Sequence, residues 1–145
     1  MKKTPLWLAM AFAAICGFEG VKLQAYPDLA GVWTICQGET KGVHRGDVAT
    51  REQCDVDLYA RLQQFNDEIS QCITADVPDT RRAAFLSLSW NIGTGAFCKS
   101  TVARRINAGD VKGACDAMLM WDRVKSTKVA GLSHRREQER ELCLR

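Results

Sequence analysis

Two carboxylates differ from the other acids of this sequence by their setting. Glu19 follows an uncharged run, P-L-W-L-A-M-A-F-A-A-I-C-G-F, from Pro5 to Phe18. Asp28 lies in the turn-forming string Y-P-D-L-A-G. A carboxyl beside apolar surface has its neutral form favoured by desolvation, whereas one in a polar turn stays ionised. Two carboxyls separated in this way suit the cleavage of a glycosidic bond. One protonates the leaving oxygen and the other works from the opposite side of the sugar. The same residues would also serve merely to end a helix and to support a turn. The first 121 residues hold 13 acids, so a pair alone decides little.

The elements that must position these residues are legible. Pro5 to Phe18 reads as a helix, ended at Glu19-Gly20, because glycine is common just past a helix end. Leu23 to Ile35 mixes aromatic and β-branched residues around a turn, which predicts a small β-hairpin. Gly38, Gly42 and Gly46 mark a loop. Thr50-Arg51-Glu52-Gln53 matches a capping box. Leu58, Leu62, Phe65 and Ile69 then recur at helical spacing, giving one amphipathic helix to about Ile73. After the break at Pro78, Ala84, Phe85, Leu88 and Ile92 mark a second, more central helix. Shorter helices are expected at Ser100 to Asn107, Asp110 to Trp121 and Leu132 to Leu144. A helix, a small sheet and then more helices is an α+β pattern.

Composition narrows the function. A length of 145 residues suits one domain or two small lobes around a shared core. The 46% hydrophobic content excludes intrinsic disorder. There is no G-x-S-x-G and no phosphate-binding glycine motif. Net charge is only +3, which gives little support to nucleic-acid binding. That excess comes from the stretch after Trp121, with seven Lys/Arg against four Asp/Glu, while the first 121 residues hold 13 of each. The seven cysteines, at 16, 36, 54, 72, 98, 115 and 143, include no C-x-x-C pair. They suit disulfides in an oxidising compartment better than zinc, and their odd number leaves one thiol over. No metal or other cofactor is expected.

From Glu19 to Thr40 the residues E-G-V-K-L-Q-A-Y-P-D-L-A-G-V-W-T-I-C-Q-G-E-T resemble the active-site segment of phage-type lysozymes, glycoside hydrolase family 24. Its pattern, E-G-x-x-L-x-x-Y-x-D-x-x-G-x-x-T-I-G-x-G-x-T, is met at Glu19, Gly20, Leu23, Tyr26, Asp28, Gly31, Thr34, Ile35, Gly38 and Thr40. Two later strings, S-W-N-I-G-T-G-A-F-C-K-S-T and G-L-S-H-R-R-E-Q-E-R-E-L-C, resemble later segments of the same family. The resemblance implies a mostly helical, two-lobed fold with a small antiparallel sheet in the N-terminal lobe. It implies hydrolysis of the β-1,4 bond between N-acetylmuramic acid and N-acetylglucosamine in peptidoglycan. Glu19 would be the general acid, Asp28 the opposing carboxylate, and Thr34 the third member that places water or substrate. Trp90 falls where the family has a cleft aromatic, and Arg135 where it has a cation near the acid, so both are candidate substrate-binding residues. Two positions depart from the family: Cys36 stands where glycine is frequent, and Glu39 where histidine is.

The same resemblance recasts the N-terminus. Lys2 and Lys3, the apolar run and Ala11-Phe12-Ala13 look like an export signal with a cleavage site. Yet the family's acid lies on the first helix, and cleavage after Ala13 would destroy that helix. Residues 1–18 are therefore expected to act as a signal-anchor that exports the chain, tethers it to the inner membrane and, once released, becomes the first helix. Fourteen residues span only about 21 Å as a helix, short for a bilayer. The remainder, 19–145, would be one catalytic domain. A β-containing lobe at about 19–50 and a helical lobe at about 75–145 would be joined by a helix at about 51–73. Expected disulfides are Cys36–Cys54, Cys72–Cys98 and Cys115–Cys143. Cys16 would be a mobile thiol able to attack a disulfide involving Cys36. The product would be a monomeric endolysin, released to the periplasm, acting on peptidoglycan and binding no nucleic acid. The alternatives are a hydrolase for another N-acetylated glycan such as chitin, and a wall-binding protein without chemistry.

Overall fold

The computed structural model describes residues 2–145. Helix α1 (Leu6–Glu19) starts after Pro5 and stops where Gly20 takes φ 64° and returns its N–H to the Cys16 carbonyl. Leu8, Ala11 and Ile15 form its buried stripe, at the spacing that puts residues on one helical face. A hairpin follows, with β1 (Lys22–Pro27) antiparallel to β2 (Trp33–Cys36) and Tyr26 opposite Thr34. The far edge of β1 is covered by residues 47–49, through Ala25 N–H to the Asp47 carbonyl and Ala49 N–H to the Leu23 carbonyl. Helix α2 (Arg51–Ser70) opens on the Thr50/Gln53 capping box, with both reciprocal bonds formed.

The helical lobe is built around α3 (Asp79–Ile92), in which every residue from Ala83 to Ser89 is buried. Helix α1 packs on it, and so does the last helix, α7 (Ala130–Leu144). Between them run α4 (Thr94–Cys98), α5 (Thr101–Asn107) and α6 (Val111–Ala117), then a 3-10 turn at Met118–Met120. A second hairpin pairs β3 (Arg123–Val124) with β4 (Thr127–Lys128).

Two apolar cores result. The larger joins Leu8, Ala11 and Ile15 of α1 to Leu58, Leu62 and Ile69 of α2, and to Phe85, Leu88, Phe97 and Met118. Fully burying side chains of this size contributes about 1.5–3 kcal/mol each. The smaller, under the first hairpin, is centred on Ile35, Cys36 and Cys54. Three disulfides staple these parts: Cys36–Cys54 joins β2 to α2, Cys72–Cys98 joins the end of α2 to α4, and Cys115–Cys143 joins α6 to α7. Each contributes roughly 2–4 kcal/mol, chiefly by restricting the unfolded chain. Cys16 is free.

The fold departs from the sequence expectation in detail. Helix α2 ends at Ser70, short of Ile73. The helix expected from Asp110 to Trp121 breaks at Ala117 into the 3-10 turn. Helix α4 and the β3–β4 hairpin have no counterpart in the expected elements. Among the described residues no helix is long and apolar enough to cross a membrane.

Candidate active site

Glu19 is the last residue of α1, so the apolar stripe that docks this helix on α3 also fixes where the carboxyl emerges. Its Oε1 is ion-paired with Nη1 of Arg135 on α7. Arg135 is itself buried and turned inward. Its Nε donates to Glu139 Oε1 at 2.9 Å and its Nη2 to the Ser87 carbonyl at 3.0 Å. Glu139 accepts from the Ser87 hydroxyl at 2.7 Å and from Arg136 Nη1 at 2.5 Å. Arg136 continues to the Asn91 side chain and, through Nε, to the Trp121 carbonyl at 2.8 Å.

Glu19, Arg135, Glu139 and Arg136 thus form a chain of alternating sign. Glu139 and Arg136 side chains are 0% exposed, Arg135 is 7% exposed, and Glu19, at the open end, is 21% exposed. Buried charges persist only when paired and hydrogen-bonded. Desolvation pulls the Arg136 guanidinium below its ordinary value, and the charge of Glu139 opposes that shift.

Asp28 is held differently. It follows β1 directly, and its Oδ1 accepts the backbone N–H of Ala30 at 2.9 Å and of Val32 at 2.8 Å. The turn closes with Asp28 N–H to the Val32 carbonyl and Gly31 N–H to the Asp28 carbonyl, both 2.9 Å. This is a local aspartate turn. Thr34, buried on β2, donates its hydroxyl to the Val32 carbonyl at 2.8 Å. The hydroxyl oxygen keeps its lone pairs for another donor, such as water.

Tyr26 lies opposite Thr34 in the hairpin. Its phenol is pushed up by burial first, and then by the charges of Glu19 and Asp28. The end of α1 reaches the hairpin just past β2, where a Cβ at Gly38 would lie 3.3 Å from Glu19 Cδ. Tyr26 entered the sequence reading only as one of ten matching motif positions.

The remaining positions are clear. Trp90, on α3, donates its indole N–H to the Gln37 carbonyl at 2.7 Å and packs against Phe65 with ring centroids 5.0 Å apart. Glu39 is paired with Arg61 of α2 at 3.0 Å and accepts the N–H of Lys41 at 2.9 Å. Cys16 sits three residues before Glu19. Burial, and next the charge of Asp55, push its thiol up.

These features match known proteins. The phage lysozyme family model matches residues 16–139. A SAR-endolysin of Enterobacteria phage P21 is 43% identical over 129 residues, covering 88% of this chain and 78% of that protein. The muramidase domain of SpmX from Asticaccaulis excentricus superposes with a TM-score of 0.83 at 30% identity, covering 93% of this chain and 95% of that one. A P22 lysozyme mutant superposes with a TM-score of 0.80 at 32% identity over 100% of both chains.

Proposed function

Because the chain belongs to the phage lysozyme family and is a peptidoglycan-hydrolysing lysozyme, we propose that Glu19, Asp28 and Thr34 carry the reaction. The bond cleaved is the β-1,4 linkage between N-acetylmuramic acid and N-acetylglucosamine. The observation that supports this reading is that the end of α1 meets the end of β2, where a Cβ at Gly38 would fall 3.3 Å from Glu19 Cδ, while the same hairpin carries Thr34 on β2 and Asp28 in its turn.

In the reactive form Glu19 is protonated. With Oε1 occupied by Arg135, Oε2 is the oxygen from which the proton passes to the glycosidic oxygen as the C–O bond breaks. Arg135 then stabilises the carboxylate left behind. Across the sugar ring, the carboxylate of Asp28 offsets the positive charge developing at the anomeric carbon. A water takes up the bond at that carbon and loses its proton to a carboxylate. Thr34, with its own proton committed to the Val32 carbonyl, accepts a hydrogen bond from that water and orients it. Arg135, whose donors go to Glu19, Glu139 and the Ser87 carbonyl, is assigned to holding the acid rather than to contacting substrate.

The N-terminal segment has a second role in this reading. Residues 1–18 export and tether the chain, and on release fold as α1, so that the enzyme works in the periplasm as a monomer. Glu19 ends α1, and Leu8, Ala11 and Ile15 are in the core. The segment therefore cannot lie in a bilayer and complete the site at the same time. The name of the P21 relative supports this assignment. After release the Cys16 thiolate would attack Cys36 of the Cys36–Cys54 disulfide, forming Cys16–Cys36 and expelling Cys54 as the thiolate; the folded structure, with Cys36–Cys54 closed and Cys16 free, is the state before that exchange. In the folded state its raised thiol disfavours the thiolate needed for that attack.

The test is product analysis. Purified sacculi digested with the enzyme should yield muropeptides with new reducing ends on N-acetylmuramic acid, and chitin should yield no product. New ends on N-acetylglucosamine, or comparable turnover of chitin, would overturn the bond assignment.

A further inference from the structure

Three observations meet at the peptide joining Gln37 to Gly38. The first is the bond from the Trp90 indole N–H to the Gln37 carbonyl, 2.7 Å long. The second is the backbone of Gly38, at φ +95°. A Cβ there would fall 3.0 Å from Trp90 Nε1, 3.3 Å from Glu19 Cδ and 3.4 Å from Glu19 Oε2. Glycine is needed here both for the left-handed conformation and for the closeness of the two neighbours. The third is the Gln37 side chain. It is fully buried, and its Nε2 donates to Asp55 Oδ1 of α2 at 2.8 Å and lies 3.9 Å from Cys16 Sγ of α1. Its Oε1 is buried with no partner.

We propose that Trp90 is a positioning residue for Glu19, acting through Gln37 and Gly38. Gln37 touches α1, α2 and α3, so its carbonyl is fixed from two sides: by Asp55 through the side chain and by the Trp90 indole directly. The ring of Trp90 is backed in turn by Phe65, over which Arg61 sits 5.1 Å from the centroid. The peptide leading into Gly38 is therefore held from both ends, and the space that a Gly38 Cβ would fill borders the Glu19 carboxyl. The missing Cβ of Gly38 leaves room beside Oε2 while Arg135 holds Oε1, so the carboxyl keeps Oε2 open for proton transfer only while this backbone stays in place. A displacement of about 1 Å in such a group can cost about a hundredfold in rate. Because the indole N–H is spent on Gln37, what Trp90 has left for substrate is ring surface only.

The inference rests on Glu19 being the acid, and its test keeps the two apart. Steady-state turnover of peptidoglycan is measured for the full chain, for Trp90→Phe, Gly38→Ala and the double variant, and for Glu19→Gln. Trp90→Phe keeps a ring and removes the N–H. It is expected to lower kcat about tenfold and leave KM within about twofold, the signature of a lost transition-state contribution. Gly38→Ala, which puts a Cβ on left-handed backbone and against Trp90 and Glu19, should lower kcat about a hundredfold, again with little change in KM, with circular dichroism to establish that the variant is folded. In the double variant the closest contact, to Nε1, no longer exists. Gly38→Ala should therefore cost several-fold less there than in the wild type, a coupling that independent sites lack.

A raised KM with unchanged kcat in Trp90→Phe would make Trp90 a substrate platform and overturn the proposal. Multiplicative losses in the double variant would overturn it too. Should Trp90→Phe fail to fold, the kcat and KM of Gly38→Ala alone decide: an unchanged kcat sinks the proposal. Turnover retained by Glu19→Gln would instead remove the acid assignment itself.

Discussion

Glu19 and Asp28 are nine residues apart in the chain, and the molecule holds them by opposite means. Asp28 is fixed by its own turn, through the N–H groups of Ala30 and Val32. Glu19 is fixed by residues from the far end of the sequence, first Arg135 and then Glu139 and Arg136. Asp28, the proposed opposing carboxylate, is held within a local turn. Glu19, the proposed acid, is the half-buried tip of a buried ionic chain that forms only when α1, α3 and α7 are packed together. The site therefore depends on completion of the helical lobe, and in particular on α1, far more than on the hairpin.

The difference is sharpest at Glu139. Its removal strands Arg136 in the core without a counter-charge, and breaking a buried pair costs about 3–5 kcal/mol. Glu139→Ala should lower the melting temperature by about 10 °C at roughly 2–4 °C per kcal/mol. A calorimetric scan that finds it within a degree or two of the wild type would dissolve the contrast. At the other carboxylate the outcome should invert. Asp28→Asn can keep the aspartate-type turn, so its melting temperature should hold, while its turnover of sacculi falls about a hundredfold by loss of the charge. Thr34→Val, which removes the water acceptor without changing shape, should lower turnover about tenfold with an unaltered fold. Circular dichroism beside the assay separates the two readouts.

The smallest effect concerns Tyr26. Its folded-state value is raised, so its contribution to stability is intact below the ordinary phenol value near 10 and is lost as pH rises through the folded value. A spectrophotometric alkaline titration should show a tyrosine that ionises late, and that phase should vanish in Tyr26→Phe.

Much of this was open to reading in the sequence, for physical reasons. The Thr50/Gln53 capping box, the apolar spacing of α2 and α3, and the glycine ending α1 are local signals, and each element formed near its expected limits. The ionic chain was not legible beyond Arg135, because Ser87, Asn91 and Glu139 meet only through tertiary packing. The same holds for Gln37, whose burial follows from three helices converging on it. The β3–β4 hairpin was missed because its strands are two residues long. Its tip, Lys125 and Ser126, takes positive φ without the usual glycine or asparagine. Helix α4 was missed because five residues are too few to show a period.

The central claim is that the acid at the end of α1 performs the proton transfer. The most direct measurement is the rate at which Glu19→Gln releases muropeptides from purified sacculi, with circular dichroism to establish that the variant is folded. The amide cannot supply the proton, and a loss of about a thousandfold or more is expected, within the range of about 10² to 10⁴ for general acid catalysis. A folded Glu19→Gln protein that retains turnover within tenfold of the wild type would contradict the account.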